Sequence, residues 1–363
     1  MKKIFVLLCL WFSLYSNSQE AKLSSQAVVS IFTCGGGEEL YSTFGHTAIR
    51  IKDVPNRLDV VYNYGTFDFR TDNFYLKFVK GNLQYFVTAT TYEDFIFEYE
   101  YTNREVIEQT INLSQEKKQQ LFDLLNKSLQ SDERFYTYKF IDRNCTTMVV
   151  DKINLILGEK TIQKIDDKTL TYREVLYPYF ENHFWYKLGI NIIFGYKTDK
   201  KAEKLFLPIE FLNSLDKALY KEKPLVTKKE MVVSSSQIIP SFSFLNSIYF
   251  VIILLLTLLI INNKKMFLGY LFISGLLGVF LCLVGLYSQH EEVLWNYNAL
   301  LFNPLYVFLP FIKHKKLVVV CLIMILIYVF FMLNKPHLVL MLPFIFTHIL
   351  ILRKLYNSTA IVL

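Results

Sequence analysis

The chain has 363 residues, of which 53% are hydrophobic and 16% aromatic, and its formal net charge is +7. This composition is too apolar for one average soluble domain and too charged for a purely membrane-embedded bundle, so two unlike halves are expected. The basic excess lies largely in short lysine and arginine clusters beside apolar segments, a pattern that sets membrane orientation and argues against nucleic-acid binding.

Residues 1–18 are predicted to be a signal peptide. Two lysines precede an apolar run, and Ser16 and Ser18 supply the small residues typical of a cleavage site. An uncleaved membrane anchor is the alternative. In both cases the domain that follows is exported from the cytoplasm.

Residues 19–220 are predicted to form an exported α+β domain with an antiparallel sheet. A leucine stripe after Ser114 predicts one helix, and a near-helical apolar period with Gly158 as a stop predicts a buried helix over 144–157. Residues 221–243 carry lysines and serines and are predicted to be a linker. Strands are predicted from β-branched and aromatic runs at 27–33, 46–52, 57–64, 83–90, 104–112 and 134–140.

Residues 244–354 are predicted to form an all-α membrane domain with five transmembrane helices. Each apolar run approaches the roughly 20 residues that cross a bilayer at about 1.5 Å per residue. Pro304, Pro310 and Pro343 predict tilted or interrupted helices in the third and fifth runs. The five runs lie at 245–262, 267–287, 297–312, 317–333 and 338–352.

Charged loops predict the orientation of this membrane domain. The second loop holds His290, Glu291 and Glu292, and the fourth holds Lys335 alone, whereas positive residues follow the other runs. Because positive loops favour the cytoplasmic side, the exported domain lies outside and the tail at 355–363 is cytoplasmic. The sequence thus predicts a multi-pass protein of the inner, cytoplasmic membrane. The positive residues are Lys264, Lys265, Lys313, Lys315, Lys316, Arg353 and Lys354.

Two residues of the exported domain form a candidate thiol active site. Cys145 opens a predicted helix, where free backbone amides favour a thiolate over a thiol. His46 begins a predicted strand, and a neighbouring imidazole is able to take the thiol proton and return it to a leaving group. The Cys145 amide is also a candidate oxyanion donor. The alternative for each residue is an ordinary place in the core.

Cys34 is the other cysteine of the exported domain. In an oxidising compartment, a disulfide between Cys34 and Cys145 is the alternative to a free nucleophile. The sequence has neither the His and Cys spacing of a metal site nor a phosphate-binding glycine loop, so no metal and no cofactor are expected.

Four segments carry a family resemblance: TCGGGEELYSTFGHTAIRI, YNYGTFDF, FIDRNCTTMVVDKI and WNYNALLFNPL. A histidine on an early strand and an Asn–Cys pair opening a later helix resemble circularly permuted papain-like enzymes of the NlpC and lecithin:retinol acyltransferase type. Together the segments are similar to the Lnb-type lipoprotein N-acyltransferases of the Bacteroidetes. That resemblance implies a phospholipid acyl donor, a Cys145 acyl-thioester with His46 as base, and the amine of a diacylglyceryl-cysteine lipoprotein N-terminus as acceptor.

The resemblance does not identify a third catalytic group. Candidate orienting or oxyanion residues are Asn144, Asn63 and Tyr64; the last two are strand neighbours that point to opposite faces, so at most one of them serves. An ordinary polar role is the alternative for each. A candidate lipid or substrate cradle at the outer ends of the second and third runs comprises His290, Trp295, Asn296, Asn298 and Asn303, for which interfacial anchoring and helix capping are the alternatives.

Two other functions fit the Cys–His pair. A papain-like thiol peptidase or amidase acting on cell-wall or membrane-proximal peptide needs no multi-span membrane half, which counts against it. A non-enzymatic membrane assembly factor would use Cys145 and His46 only as structural residues.

Overall fold

The structure, a computed structural model, describes residues 21–236, 241–312 and 314–358, so the predicted signal peptide lies outside the described residues. The strands are β1 (Val28–Cys34), β2 (His46–Asp53), β3 (Leu58–Thr66), β4 (Gln84–Thr91), β5 (Val106–Ile111), β6 (Phe135–Thr137), β7 (Leu219–Tyr220), β8 (Lys223–Pro224) and β9 (Val226–Val233). The helices of the exported domain are α1 (Phe74–Lys80), α2 (Tyr92–Tyr101), α3 (Gln115–Gln130), α4 (Cys145–Leu157), α5 (Phe184–Ile193) and α6 (Pro208–Asp216).

A seven-stranded antiparallel sheet in the order β6-β4-β3-β2-β1-β5-β9 forms the centre of this mixed α/β domain. Ile49 and Tyr62 belong to the larger core beneath α3 and α4, whereas Ala48 and Val61 belong to a smaller core beneath α2. Because neighbouring strand residues point to opposite faces, β2 and β3 are apolar on both sides. The central strands are therefore held rigidly between two helical layers.

The strands and helices predicted before Gly158 are confirmed, although the segment predicted at 134–140 shortens to β6. Ser114 caps α3, since its side chain accepts a hydrogen bond from the Lys117 amide. Gly158 ends α4 with φ +81°, as its position predicted. Helices α1 and α2 lack a clear apolar period and were not predicted.

The predicted linker at 221–243 is wrong in its first half. Residues Val226–Val233 form β9, which pairs with β5 at the edge of the main sheet. This segment resembles a linker because its charged residues Lys228, Lys229 and Glu230 are exposed. Charged side chains are also typical of edge strands, which they protect from pairing with other chains. The exported domain consequently extends beyond residue 220.

The membrane half differs from the predicted five-helix bundle in its third run. Its helices are α7 (Ile248–Ile261), α8 (Lys264–Tyr287), α9 (Lys315–Met332) and α10 (Leu338–Ser358), of which α8, α9 and α10 are long and apolar enough to cross a membrane. Run 297–312 instead forms two short 3₁₀ segments, Tyr297–Leu300 and Pro304–Phe308. Helix α10 also continues into the predicted tail, whose last five residues lie outside the described residues.

Run 297–312 packs antiparallel along α8 because glycines of that helix admit it. A Cβ at Gly278 would lie 1.6 Å from the Phe302 carbonyl oxygen, and one at Gly275 would lie 2.7 Å from the Val307 nitrogen. Non-helical backbone at membrane depth is tolerated where protein covers it, and Leu301 of this run is fully buried. Asn303 caps the second 3₁₀ segment, and Pro304, which has no backbone N–H, begins it. The run is therefore divided at this point and does not form the single helix that its apolar content predicted.

A buried polar network joins the exported domain to the membrane half. Arg173 is fully buried, and its Nε donates to Asp199 Oδ1 at 2.7 Å. The Tyr297 hydroxyl donates to Asp199 Oδ2 at 2.7 Å, and the Lys335 ammonium lies 2.9 Å from the same oxygen. The segment between α4 and α6, which the sequence left unassigned, therefore connects the two halves.

Replacing Gly278 by alanine is expected to destabilise the membrane half, because the added methyl group collides with the Phe302 carbonyl. Overpacking of this kind costs about 1–3 kcal/mol. Gly269→Ala is the matched control, since a Cβ at this position of α8 meets nothing within 4 Å. The measurement is thermal unfolding of the purified protein in detergent, and equal melting temperatures for the two variants would contradict the packing described.

Candidate active site

His46 reaches the site through a tight turn before β2. Gly45 precedes it with φ +80°, and a Cβ there would lie 2.3 Å from the Cys34 carbonyl oxygen. Only glycine accepts both the left-handed conformation and the close approach. The turn places His46 directly opposite Cys34 in the β1–β2 register, at the end of the sheet.

Cys145 is the first residue of α4, and Asn144 caps that helix. The Asn144 Oδ1 accepts from the Thr147 amide at 3.0 Å, while the Thr147 hydroxyl accepts from the Asn144 amide at 2.8 Å. The Asn144 Nδ2 donates to the carbonyls of Phe140 at 2.7 Å and Phe206 at 2.8 Å. With its side-chain oxygen and nitrogen both engaged in these contacts, Asn144 fixes the start of the helix, and none of its described hydrogen bonds is with His46.

A second contact fixes α4 to the sheet beside the nucleophile. The hydroxyls of Thr47 and Thr146 form a buried hydrogen bond of 3.0 Å between β2 and α4. Both threonines directly follow a site residue, His46 or Cys145. This bond therefore sets the separation of the two functional side chains.

Cys145 and His46 interact electrostatically, and each favours the charged form of the other. Burial by itself raises the pKa of the Cys145 thiol, but the His46 imidazole and the Thr47 amide outweigh it and lower the pKa below the ordinary 9.0. Burial likewise lowers the pKa of His46, but Cys145 and Asn63 together raise it above the ordinary 6.5. The interaction between the two side chains therefore acts in the direction of a thiolate and an imidazolium.

Asn63 lies beside His46 and orients its ring. The His46 Nε2 lies 3.3 Å from Asn63 Oδ1, which leaves Nδ1 as the nitrogen available to Cys145. Thr90 Oγ1 lies 3.4 Å from Asn63 Nδ2 and holds the amide in place. The β3–β4 register shifts immediately after Asn63. Gly65 lies in this irregular stretch with φ +94°, and a Cβ added to it would lie 3.6 Å from the Cys145 Cβ.

Of the three candidates for a third group, Asn63 alone contacts His46 in the part of the chain that the structure describes. Tyr64 points into the larger core, where its ring packs 6.4 Å from the ring of Tyr136. Opposite orientation of Asn63 and Tyr64 is what strand alternation predicts.

Cys34 is a buried free thiol, and the disulfide alternative is wrong, because Cys34 and Cys145 are both unbridged in the structure. Burial raises the pKa of Cys34 to about 12, against the lowering effect of a hydrogen bond with the Tyr99 hydroxyl. Cys34 therefore stays protonated and unreactive, whereas the pKa of the neighbouring Cys145 is lowered.

The predicted cradle residues are placed at the junction of the two halves, and most are occupied in structural contacts. His290 donates from Nε2 to the Phe78 carbonyl at 2.8 Å. Asn296 and Asn298 donate to backbone carbonyls of α5, and Asn303 caps the following 3₁₀ segment. Trp295 is 85% exposed, which suits an anchor at the membrane interface.

Sequence reasoning missed the residues that connect the site loop to the membrane half. Glu292 is buried and accepts from the Ile141 amide at 3.3 Å, close to Lys197 at 3.8 Å. Lys139 donates to the Gln289 carbonyl at 2.6 Å. The sequence shows that Glu292 lies beside an apolar run, but it contains no signal that connects Glu292 with the loop before Cys145.

Part of the chain matches a known protein family. Residues 15–177 match the family model described as the Lnb N-terminal periplasmic domain. The matched range includes His46, Asn63 and Cys145. Neither a curated protein nor a solved structure matches the chain.

His46→Ala is expected to slow alkylation of Cys145 at pH 7 by about tenfold or more. Without the imidazole the Cys145 pKa rises, and each unit of that rise lowers the thiolate fraction about tenfold. The measurement is the iodoacetamide rate across pH, read peptide by peptide in a mass spectrometer. Cys34 serves as an internal control, because burial keeps it slow in both proteins. An unchanged pH profile would mean that His46 does not lower the Cys145 pKa.

Asn63→Leu is expected to shift the same alkylation profile in the direction of His46→Ala, because it removes the acceptor that raises the His46 pKa. Asn63→Asp keeps an acceptor oxygen and is expected to retain a lowered thiol pKa. If the leucine and aspartate variants gave the same profile, Asn63 would have no part in orienting the imidazole.

Proposed function

We propose that this chain, whose residues 15–177 match the model of the Lnb N-terminal periplasmic domain, is a lipoprotein N-acyltransferase. The observation that carries the proposal is the thiol–imidazole pair of Cys145 and His46 at a capped helix N-terminus. An activated thiol beside a base is the arrangement required for covalent acyl transfer. The apolar helices of the second half suit an enzyme whose substrates are membrane lipids.

In the first half-reaction, the Cys145 thiolate attacks the ester carbonyl of a phospholipid acyl chain. The tetrahedral intermediate collapses to a thioester as the C–O bond breaks, and the His46 imidazolium protonates the departing lysophospholipid oxygen. The Cys145 amide, at the free N-terminus of α4, is the proposed donor to the oxyanion.

In the second half-reaction, the amine of a diacylglyceryl-cysteine N-terminus attacks the thioester. Neutral His46 takes a proton from the attacking nitrogen as the amide bond forms and the C–S bond breaks. The departing thiolate restores the thiolate–imidazolium pair, so atoms and charges balance over the cycle. Asn63 is proposed to hold the imidazole in the orientation that serves both steps.

Contacts between the site loop and the membrane half support a lipid substrate. Lys139 and Ile141 lie a few residues before Cys145 and bind Gln289 and Glu292, which follow the end of α8. The nucleophile is thereby positioned near one membrane surface. We propose that this surface is the periplasmic face of the inner membrane and that the C-terminus lies in the cytoplasm, following the positive loops.

The order of the catalytic elements supports a circularly permuted papain-like domain. Here the histidine strand β2 precedes the nucleophile helix α4, and an asparagine on the adjacent strand contacts the histidine through its side-chain oxygen. Cysteine, histidine and asparagine in these relations are the working groups of papain-like proteases, in which the cysteine comes first along the chain.

Cys145→Ala is expected to abolish acyl-enzyme formation and to lower N-acylation of diacyl lipoproteins at least about a thousandfold, because the nucleophile is lost. The measurement is mass spectrometry of lipoprotein N-termini, with detection of a hydroxylamine-sensitive acyl group on the purified enzyme. Cys34→Ala is the matched control and is expected to keep the acyl-enzyme.

Three outcomes distinguish the candidate functions. A folded Cys145→Ala protein that accumulates diacyl lipoprotein supports acyl transfer. Full N-acylation by the same variant would overturn the proposal and favour a structural role for Cys145. Cleavage of a peptide or an amide bond without an acyl-enzyme derived from lipid would favour a peptidase instead.

A further inference from the structure

Helix α1 exposes an unusual amount of apolar surface. None of its seven residues is buried, and Tyr75 and Leu76 are 75% and 64% exposed. Phe78 is 45% exposed on the same short helix. A contiguous apolar surface of this kind marks an interaction site rather than ordinary solvent exposure.

The C-terminal end of α1 is bonded to the end of α8. Its Val79 and Lys80 carbonyls accept from the Ser288 hydroxyl and the Gln289 amide, each at 2.7 Å. Since α8 is long and apolar enough to cross a membrane, the residues just after it lie at the level of the lipid headgroups. Helix α1 therefore lies at the same level as the membrane surface.

The charges of α1 suit a phospholipid surface. Lys77 and Lys80 lie in its last turn, and its sequence, FYLKFVK, has no acidic residue. The Lys80 ammonium lies 5.4 Å from the centre of the Tyr287 ring at the end of α8. Lysines beside aromatic side chains are typical of segments that rest among phosphate headgroups.

Aromatic rings connect α1 to the core against which Cys145 packs. Phe74 of α1 lies 5.8 Å from Phe67, which lies 5.2 Å from Tyr85, and the Tyr85 ring stacks on Tyr138 at 4.4 Å. Tyr138 and Cys145 pack against the same core. A row of aromatic contacts thus runs from α1, at the membrane level, into the core that also contacts Cys145.

We propose that α1 is immersed in the outer-facing leaflet of the bilayer and that its aromatic surface guides the acyl chain of a phospholipid to Cys145. The bilayer is the single occupant proposed for this surface, on the grounds of its continuity with α8, its lysines and its aromatic connection to the site. The guiding role rests on the proposed acyltransferase function, whereas the immersion does not.

The first test measures immersion independently of activity. Leu76→Trp in the full-length protein, reconstituted in bilayers, is expected to add fluorescence that brominated phospholipids quench. Leu155→Trp is the matched control, because Leu155 is 65% exposed near the end of α4, in a hollow that it lines together with the charged residues Asp151 and Lys160. Equal quenching of the two added tryptophans would overturn the immersion of α1.

The second test measures delivery of the acyl chain. Leu76→Asp is expected to slow acylation of Cys145 by bilayer phospholipid about tenfold, because a charged residue opposes insertion of the helix. Alkylation of Cys145 by water-soluble iodoacetamide is expected to stay unchanged, which shows that the site itself is intact. Leu155→Asp is expected to leave both rates unchanged.

The outcomes separate this proposal from the function on which it rests. Wild-type acylation together with Leu76→Asp acylation at the same rate would overturn the guiding role. Lipid quenching at Leu76→Trp with no acyl-enzyme in any variant would overturn the acyltransferase and the guiding role, and would establish α1 as a membrane-docking element of another activity.

Discussion

The hydrogen bonds of Asn144 determine where α4 begins, and the chemistry of Cys145 depends on that position. Its amide group joins three stretches of chain: the first turn of α4, the loop at Phe140 and the segment just before α6 at Phe206. Cys145 consequently occupies the first position of the helix, where the backbone amides have no partner within the helix. A sulfur displaced by one residue in either direction would lose both this environment and the imidazole of His46.

Much of the exported domain could be predicted because its signals are local. The strand alternation around His46, the cap at Ser114 and the glycine after α4 each depend on a few neighbouring residues. Cys145 and His46 were recognisable for the same reason. Asn63 was one of several candidates, because its contact with His46 depends on the pairing of β2 with β3 and on the irregularity at Gly65.

The errors arise where distant contacts outweigh local pattern. The charged segment of β9 becomes a strand because β5 offers a free edge, and nothing within residues 226–233 indicates that pairing. Run 297–312 has the apolar content of a helix, but the bare glycines of α8 let its backbone approach closely in another conformation. Likewise, Glu292 lies about 150 residues from the loop that it binds, as the Ile141 contact shows.

The 3₁₀ conformation of run 297–312 has a consequence for how the protein is made. A helix satisfies its own backbone hydrogen bonds and is able to enter lipid alone, whereas irregular backbone in lipid leaves polar groups exposed at a cost of several kcal/mol for each group. This run is therefore unable to insert by itself after synthesis. Insertion of this run therefore depends on α8, which precedes it along the chain and covers part of its backbone, and a list of hydrophobic segments does not reveal that dependence.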